Sequence, residues 1–218
     1  MTIASRTVLV IGSTGLVGRE CVRLLLADES VSRVIAVVRA PTQIFGSASK
    51  LDIRPVDFDK LSSRADLFAV DQIICAIGTT LRKTPDRDIY RSIDYGYPLT
   101  AAKLGKDAGA RHYLVVSAVG ADSRSRLFYN RLKGEVEDDL TALRFRSLTI
   151  ARPSVLIGER SEVRRSEKIA WKLSPITPRK YKPVPAANVS RALVNAARED
   201  RPGRRIITNA EMLSVAST

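Results

Sequence analysis

Short apolar runs rich in β-branched residues alternate along the chain with longer stretches in which apolar residues recur every three or four positions. Thr7-Val8-Leu9-Val10-Ile11 is the first run, and its lack of polar alternation is the pattern of a strand buried on both faces. Val17, Cys21, Leu24 and Leu25 then repeat at helical spacing with Arg19, Glu20 and Arg23 between them. Further strands are predicted at Val34–Val38, near Arg54–Val56, at Gln72–Ile77, at Tyr113–Val116 and at Leu148–Ala151, with a last short one at Ile206-Ile207. Helices are predicted around Gly96–Ala108, Arg126–Leu143 and Ala187–Ala197, and the polar stretch 79–90 is read as a loop. Arg152-Pro153 is expected to end the strand before it. Strands interleaved with helices in this rhythm imply an α/β fold with a doubly wound parallel sheet and right-handed crossovers. No repeat or linker divides the chain, so residues 1–218 are expected to form a single domain. Within it, 155–218 would contribute a small C-terminal cap on the substrate side.

Between the first strand and the first helix lies Gly12-Ser13-Thr14-Gly15-Leu16-Val17-Gly18, three glycines in the strand–turn–helix context of a dinucleotide-binding (Rossmann) loop. The first glycine permits the tight turn, the second lets backbone approach a pyrophosphate, and the third lets helix and strand pack closely. The phosphates would rest on N–H groups at the helix N-terminus. Arg39 ends the second strand where an NAD-preferring site usually places an acid, and no acid stands between Val34 and Ala40. A guanidinium matches a ribose 2′-phosphate and a carboxylate repels it, so NADP(H) is the expected cofactor, with NAD(H) second. Ser13 and Thr14 are expected to add hydroxyl donors. Asp57, with Phe58 beside it, is placed for the adenine, and Ala76, Ile77 and Gly78 for the adenine-ribose side of the crevice.

The composition, 44% hydrophobic and 27% charged, is that of a folded soluble domain, and no apolar run approaches the roughly 20 residues that cross a bilayer. No membrane association and a cytoplasmic location are expected. Two cysteines, Cys21 and Cys75, have no partners at metal-ligand spacing and read as half-buried thiols in a reducing compartment. A single histidine, His112, provides neither a His-based metal site nor the base of a Ser-His-Asp triad beyond itself, so it reads as a support for a strand end and no metal is expected. The net charge of +13 exceeds what a dinucleotide needs and points to anionic partners.

Ser117 ends the fifth strand, and Tyr129 and Lys133 follow one helical turn apart as Tyr-x-x-x-Lys. A phenol of pKa near 10 needs an adjacent cation to exchange protons at neutral pH. Lys133 would supply that field and hold the nicotinamide ribose. Tyr129 would pass a proton to or from the substrate oxygen, which Ser117 would orient.

With these residues the chain resembles the atypical short-chain dehydrogenase/reductases, of the Tat-interacting-protein type, over nearly its whole length. The resemblance is carried by the glycine loop, Cys75-Ala76-Ile77-Gly78-Thr79-Thr80, Ser117-Ala118-Val119-Gly120-Ala121-Asp122, Tyr129-x-x-x-Lys133-Gly134-Glu135-Val136-Glu137 and Arg152-Pro153-Ser154-Val155-Leu156. It implies Ser117, Tyr129 and Lys133 as the catalytic set, and Pro153 and Val155 in a segment whose backbone meets the nicotinamide. One departure stands out, because Asp94 lies where related extended reductases carry Asn, so the usual proton relay would be incomplete.

Three functions follow. The first is an NADPH-dependent reductase of a small carbonyl compound held beneath a cap from Leu156 to Tyr181. Arg160, Arg164, Arg165 and Lys168 in that cap point to an anionic substrate. The second is an NADPH-binding redox sensor with little turnover. The third, nucleic-acid binding, rests on charge alone, since no recognition helix, aromatic RNA-binding signature or zinc knuckle is present.

Overall fold

The computed structural model describes residues 5–158 and 178–215. Seven strands form one parallel sheet in the order β3-β2-β1-β4-β5-β6-β9. They are β1 (Arg6–Ile11), β2 (Val31–Val38), β3 (Leu51–Pro55), β4 (Gln72–Cys75), β5 (His112–Val116), β6 (Ser147–Arg152) and β9 (Gly203–Thr208). Chain order runs outward from β1 to β3 on one side and from β4 to β9 on the other. The switch point, where a crevice opens at the carboxyl ends of the strands, therefore lies between β1 and β4.

Central strands bury both faces, as their apolar runs require. Val8 and Val10 face a core shared with α1 (Leu16–Ala27) and α5 (Ala186–Glu199). Leu9 and Ile11 face a second core formed with a 3₁₀ segment (Phe58–Phe68), α3 (Tyr97–Asp107) and α4 (Phe128–Ala142). The doubly wound α/β architecture expected from the sequence is the one observed.

Several boundaries differ for local reasons. β2 begins at Val31, because its exposed Ser32 and Arg33 hide the strand from an apolar-run reading. The stretch 79–90 is not all loop: the Asp86 side chain accepts the N–H groups of Asp88 and Ile89 and starts α2 (Arg87–Arg91). α2 runs through one π-helical turn (Ser92–Gly96) into α3. The short pair β7 (Leu156–Ile157) and β8 (Val184–Pro185) was not foreshadowed by any periodicity.

The expected C-terminal cap needs correcting in part. α5 packs against α1 and β9 is the seventh strand of the main sheet, so most of 186–208 belongs to the body of the fold. Arg160, Arg164, Arg165, Lys168 and the rest of 159–177 lie outside the described residues.

Candidate active site

The glycine loop is built almost entirely from main chain. Gly12 has φ +76°, and a Cβ there would meet the Ala76 carbonyl carbon at 2.6 Å, which is how closely β1 and β4 approach at the switch point. At Gly18 a Cβ would lie 2.1 Å from the Gly12 oxygen, so only glycine lets the first turn of α1 sit on the loop. Gly15 caps α1 without a side-chain hydrogen bond, and the first intrahelical bond runs from Arg19 N–H to Gly15 O at 2.9 Å. The N–H groups of Leu16, Val17 and Gly18 consequently have no helical acceptor, as at any helix N-terminus able to meet an anion.

Ser13 does not fill the role expected of its hydroxyl. It is fully buried and donates to the Val37 carbonyl at 2.6 Å, fastening the loop to β2. Thr14 stays exposed, and Arg39 projects at the end of β2 with no ion pair among the described residues. Asp57 is exposed and caps the 3₁₀ segment by accepting the Asp59 N–H, whereas Phe58 is buried with its ring 5.4 Å from that of Tyr97. Any contact from Phe58 to a cofactor would therefore come from its backbone. Ala76, Ile77 and Gly78 follow β4 directly, with the Ala76 N–H held by the Ile11 carbonyl at 2.8 Å. The crevice thus presents free helix N–H groups, a close glycine turn and an unpaired guanidinium, a donor set that fits a phosphorylated dinucleotide.

Lys133 is 5% exposed, and its Nζ lies 2.7 Å from Oδ1 of Asp94, itself 1% exposed on the π-helical turn. The other oxygen of Asp94 accepts the Thr79 N–H at 2.8 Å, which ties α4, through Lys133, to the loop after Gly78. Burial, the largest single influence, works against the Lys133 ammonium, but Asp94 together with Tyr129 and Cys75 holds its pKa above the ordinary lysine value. Tyr129, one turn before Lys133, is 38% exposed. Desolvation raises its phenol, Lys133 pulls it down and Asp94 pushes it up again, leaving it above the ordinary tyrosine value. Asp94 therefore does not merely interrupt a relay; it is the partner of the lysine.

Ser117 stands just beyond the end of β5. It is 5% exposed, and its hydroxyl donates to Oε1 of Glu137 at 2.5 Å instead of standing free for a substrate oxygen. Glu137 is itself buried and accepts from Nε of Arg152 at 2.9 Å, with Arg204 3.6 Å away. This carboxylate joins α4 to the ends of β5 and β6 and to β9. Its signal in the sequence was available: Tyr129, Lys133 and Glu137 stand at i, i+4 and i+8, on one face of a helix.

Pro153 is buried and its carbonyl accepts the Val119 N–H, while Val155 is 53% exposed and its carbonyl accepts from Val184. Asn209, which the sequence reading missed, accepts the Ser154 N–H at 2.8 Å and donates to the carbonyls of Arg179 and Lys182, clamping this segment to the C-terminal turn. A recess of about 510 Å³ lined by Ala192, Asn195, Glu199, Ile207 and Ser214 lies elsewhere and shares no residue with the crevice.

The fold and the crevice define a nicotinamide-dinucleotide-binding protein of the short-chain dehydrogenase/reductase class. Residues 12–200 match the NAD(P)H-binding family, and the chain belongs to it. Protein HTATIP2 of Rattus norvegicus is 32% identical over 196 residues, covering 88% of this chain and 81% of its own. Protein FMP52, mitochondrial, of Candida albicans is 33% identical over 156 residues, covering 70% and 68%. The match to HTATIP2 agrees with the Tat-interacting-protein resemblance read from the motifs. Among solved structures, the Bordetella bronchiseptica enzyme WbmH in complex with NAD+ superposes with a TM-score of 0.71 at 15% identity, covering 94% of this chain and 75% of that one. UDP-glucose 4-epimerase from Thermotoga maritima gives 0.71 at 14%, covering 93% and 76%. At these identities the likeness is one of fold.

Proposed function

We propose that the chain is an NADP(H)-dependent oxidoreductase that reduces a small carbonyl compound, with Tyr129 as the proton donor. The observation that carries this reading is the buried Lys133 ammonium one turn from Tyr129, linked through Asp94 to the loop at the switch point. A bound dinucleotide would supply a hydride. The N–H groups of Leu16, Val17 and Gly18 take its pyrophosphate, Arg39 takes the 2′-phosphate, and Lys133 has two N–H donors left for the nicotinamide ribose. Tyr129 binds the carbonyl oxygen and protonates it. Ser117 acts indirectly, through Glu137, by fixing α4 against the sheet.

The committed hydroxyl of Ser117 and the neutralised charge of Lys133 favour a second reading, an NADPH-binding sensor with little turnover. Fluorescence titration with NADPH and NADH in parallel, on the wild type and on Arg39→Asp, tests the cofactor assignment. NADPH is expected to bind more tightly, and Arg39→Asp to weaken NADPH about tenfold or more beyond any effect on NADH. An unchanged ratio removes Arg39 from the site, and no binding of either removes the oxidoreductase reading. Tight NADPH binding with no turnover across a panel of aldehydes and ketones would favour the sensor.

A further inference from the structure

Exposed apolar side chains are unevenly placed on this molecule. Ile44 apart, the large ones among the described residues follow the carboxyl ends of strands: Leu81 and Ile89 after β4, Leu127 and Tyr129 after β5, and Val155 after β6 with Tyr181 beside it. Leu81 is 45%, Ile89 55% and Leu127 67% exposed, and the three belong to one surface. The turn at 80–84, closed by the Lys83 and Thr84 N–H groups on the Thr80 carbonyl, carries Leu81, Arg82 and Lys83. Its base, Thr79, is tied through Asp94 to Lys133 on α4. α2 carries Ile89 and packs on the first turn of α4, with the Tyr90 and Phe128 ring centroids 5.8 Å apart and the Arg87 guanidinium 5.1 Å from the Phe128 centroid. Leu127 is the N-cap of α4, next to Phe128.

The same stretches are basic. Residues 79–91 and 120–131 hold seven Lys or Arg against three Asp, which leaves the surface positive. Arg91 and Arg131 pair with Glu135, and Arg124 with Asp122. Arg82, Lys83, Arg87 and Arg126 make no ion pair among the described residues, and Asp86 is committed to the start of α2. Each exposed apolar tip thus has a cation one or two positions away: Arg82 and Lys83 by Leu81, Arg87 by Ile89, Arg126 by Leu127. A second copy of the chain would set these charges against like charges. Single-stranded nucleic acid stacks its bases on aromatic faces, and these tips are aliphatic. The core of a protein interface is depleted in lysine and packs its apolar groups together. Separate apolar tips among cations match the headgroup layer of an anionic bilayer, where cations meet phosphates and the tips enter the acyl boundary.

We propose that this face docks the chain peripherally on an anionic phospholipid membrane, with Leu81, Ile89 and Leu127 entering the lipid and Arg82, Lys83, Arg87 and Arg126 on the phosphates. The expectation of no membrane contact rested on spanning length. No helix among the described residues is long and apolar enough to cross a membrane, but a peripheral contact has no such requirement. Tyr129 lies two residues after Leu127 and is itself exposed, so docking sets this side of the crevice against the headgroups.

Flotation of the full chain with vesicles of phosphatidylcholine, alone or with about one-third phosphatidylglycerol, tests the proposal. The chain is expected to float with the anionic vesicles and not with the neutral ones. No flotation with the anionic vesicles overturns the proposal, and retention on duplex DNA or polyglutamate in that case would reassign the face to a polymeric partner. Leu81→Ser/Ile89→Ser/Leu127→Ser keeps every charge and is expected to weaken anionic-vesicle binding about tenfold or more. Arg82→Gln/Lys83→Gln/Arg126→Gln is expected to weaken it by about as much. Lys103→Gln/Lys106→Gln/Arg201→Gln removes as many charges near the amino ends of β5 and β9 and should cost less than about threefold. Binding unmoved by the serine variant, or equally lost in both glutamine variants, would show adsorption by net charge and overturn the proposal. All these side chains are exposed, and circular dichroism checks that each variant folds. The assay contains no dinucleotide, so its outcome is independent of the NADPH titration.

Discussion

Around Gly12 to Gly18 the groups that face the crevice are mostly main chain, and the residues that shape them are neighbours in sequence. Around Tyr129 the working groups are side chains, brought together from α4, the π-helical turn, β5, β6 and β9. The loop works by excluding Cβ atoms, and its chemistry is that of any exposed helix N-terminus. The wall around Tyr129 is built on charge compensation, where the meaning of each residue depends on its partner. Lys133 beside Asp94 is a different chemical object from Lys133 alone, and Ser117 bound to Glu137 is not a free hydroxyl.

The sharpest way to break this comparison lies within the wall around Tyr129. Tyr129→Phe is expected to lower turnover about a thousandfold while leaving the NADPH dissociation constant nearly unchanged. In the same assay Ser117→Ala should lose less than about tenfold, since the hydroxyl is committed to a carboxylate rather than to a substrate. Equal losses would restore Ser117 as a direct contact. The loop should respond to volume instead of charge. Gly18→Ala places a methyl 2.1 Å from the Gly12 oxygen and is expected to cost about 3 kcal/mol in urea unfolding and to abolish NADPH binding. A stability within about 1 kcal/mol of wild type would mean that the loop is freer than its geometry indicates.

A pH series separates the walls further, because β5 carries Ser117 just beyond one end and His112 at the other. Burial is the largest influence on His112 and pushes its pKa down from 6.5 to about 4, against the opposing pull of Asp200. Its Nε2 lies 2.9 Å from the Thr149 hydroxyl, while Nδ1 is 3.2 Å from Asp200 without hydrogen-bond geometry. A base with a depressed folded-state pKa contributes fully above its unfolded value, and that stability is lost as pH falls from about 6.5 through about 4. The loss should reach about 3 kcal/mol by urea unfolding, with His112→Gln flattening the slope over that interval. An unchanged slope in the variant would assign the acid sensitivity to carboxylates.

The strand–turn–helix at Gly12 was legible because its requirements are local: an apolar run, a glycine where φ is positive and a glycine where helix meets loop. Tyr129 and Lys133 were legible as a helical pair for the same reason. The partners of Ser13, Ser117 and Lys133 were not. Each bonds to an atom 20 or more residues away, at Val37, Glu137 and Asp94 respectively, and no pattern of apolar and polar positions records such a distance. His112 was read correctly as support for a strand end, but its burial and its Thr149 and Asp200 neighbours could not be anticipated. The cysteines, expected half-buried, are fully buried, and burial raises the Cys21 thiol to about 12.

By itself the sequence determined the alternation of strands and helices, the dinucleotide loop and the helical stripe that carries Tyr129. These depend on backbone geometry, on unbroken apolar runs in the strands and on a burial period of 3.6 residues in the helices, all written in consecutive positions. The tertiary structure alone decided which charges cancel. A buried ion pair is set by where distant elements come to rest, and at a separation of 2.7 Å that placement fixes whether a lysine acts as a charge or as half of a neutral pair.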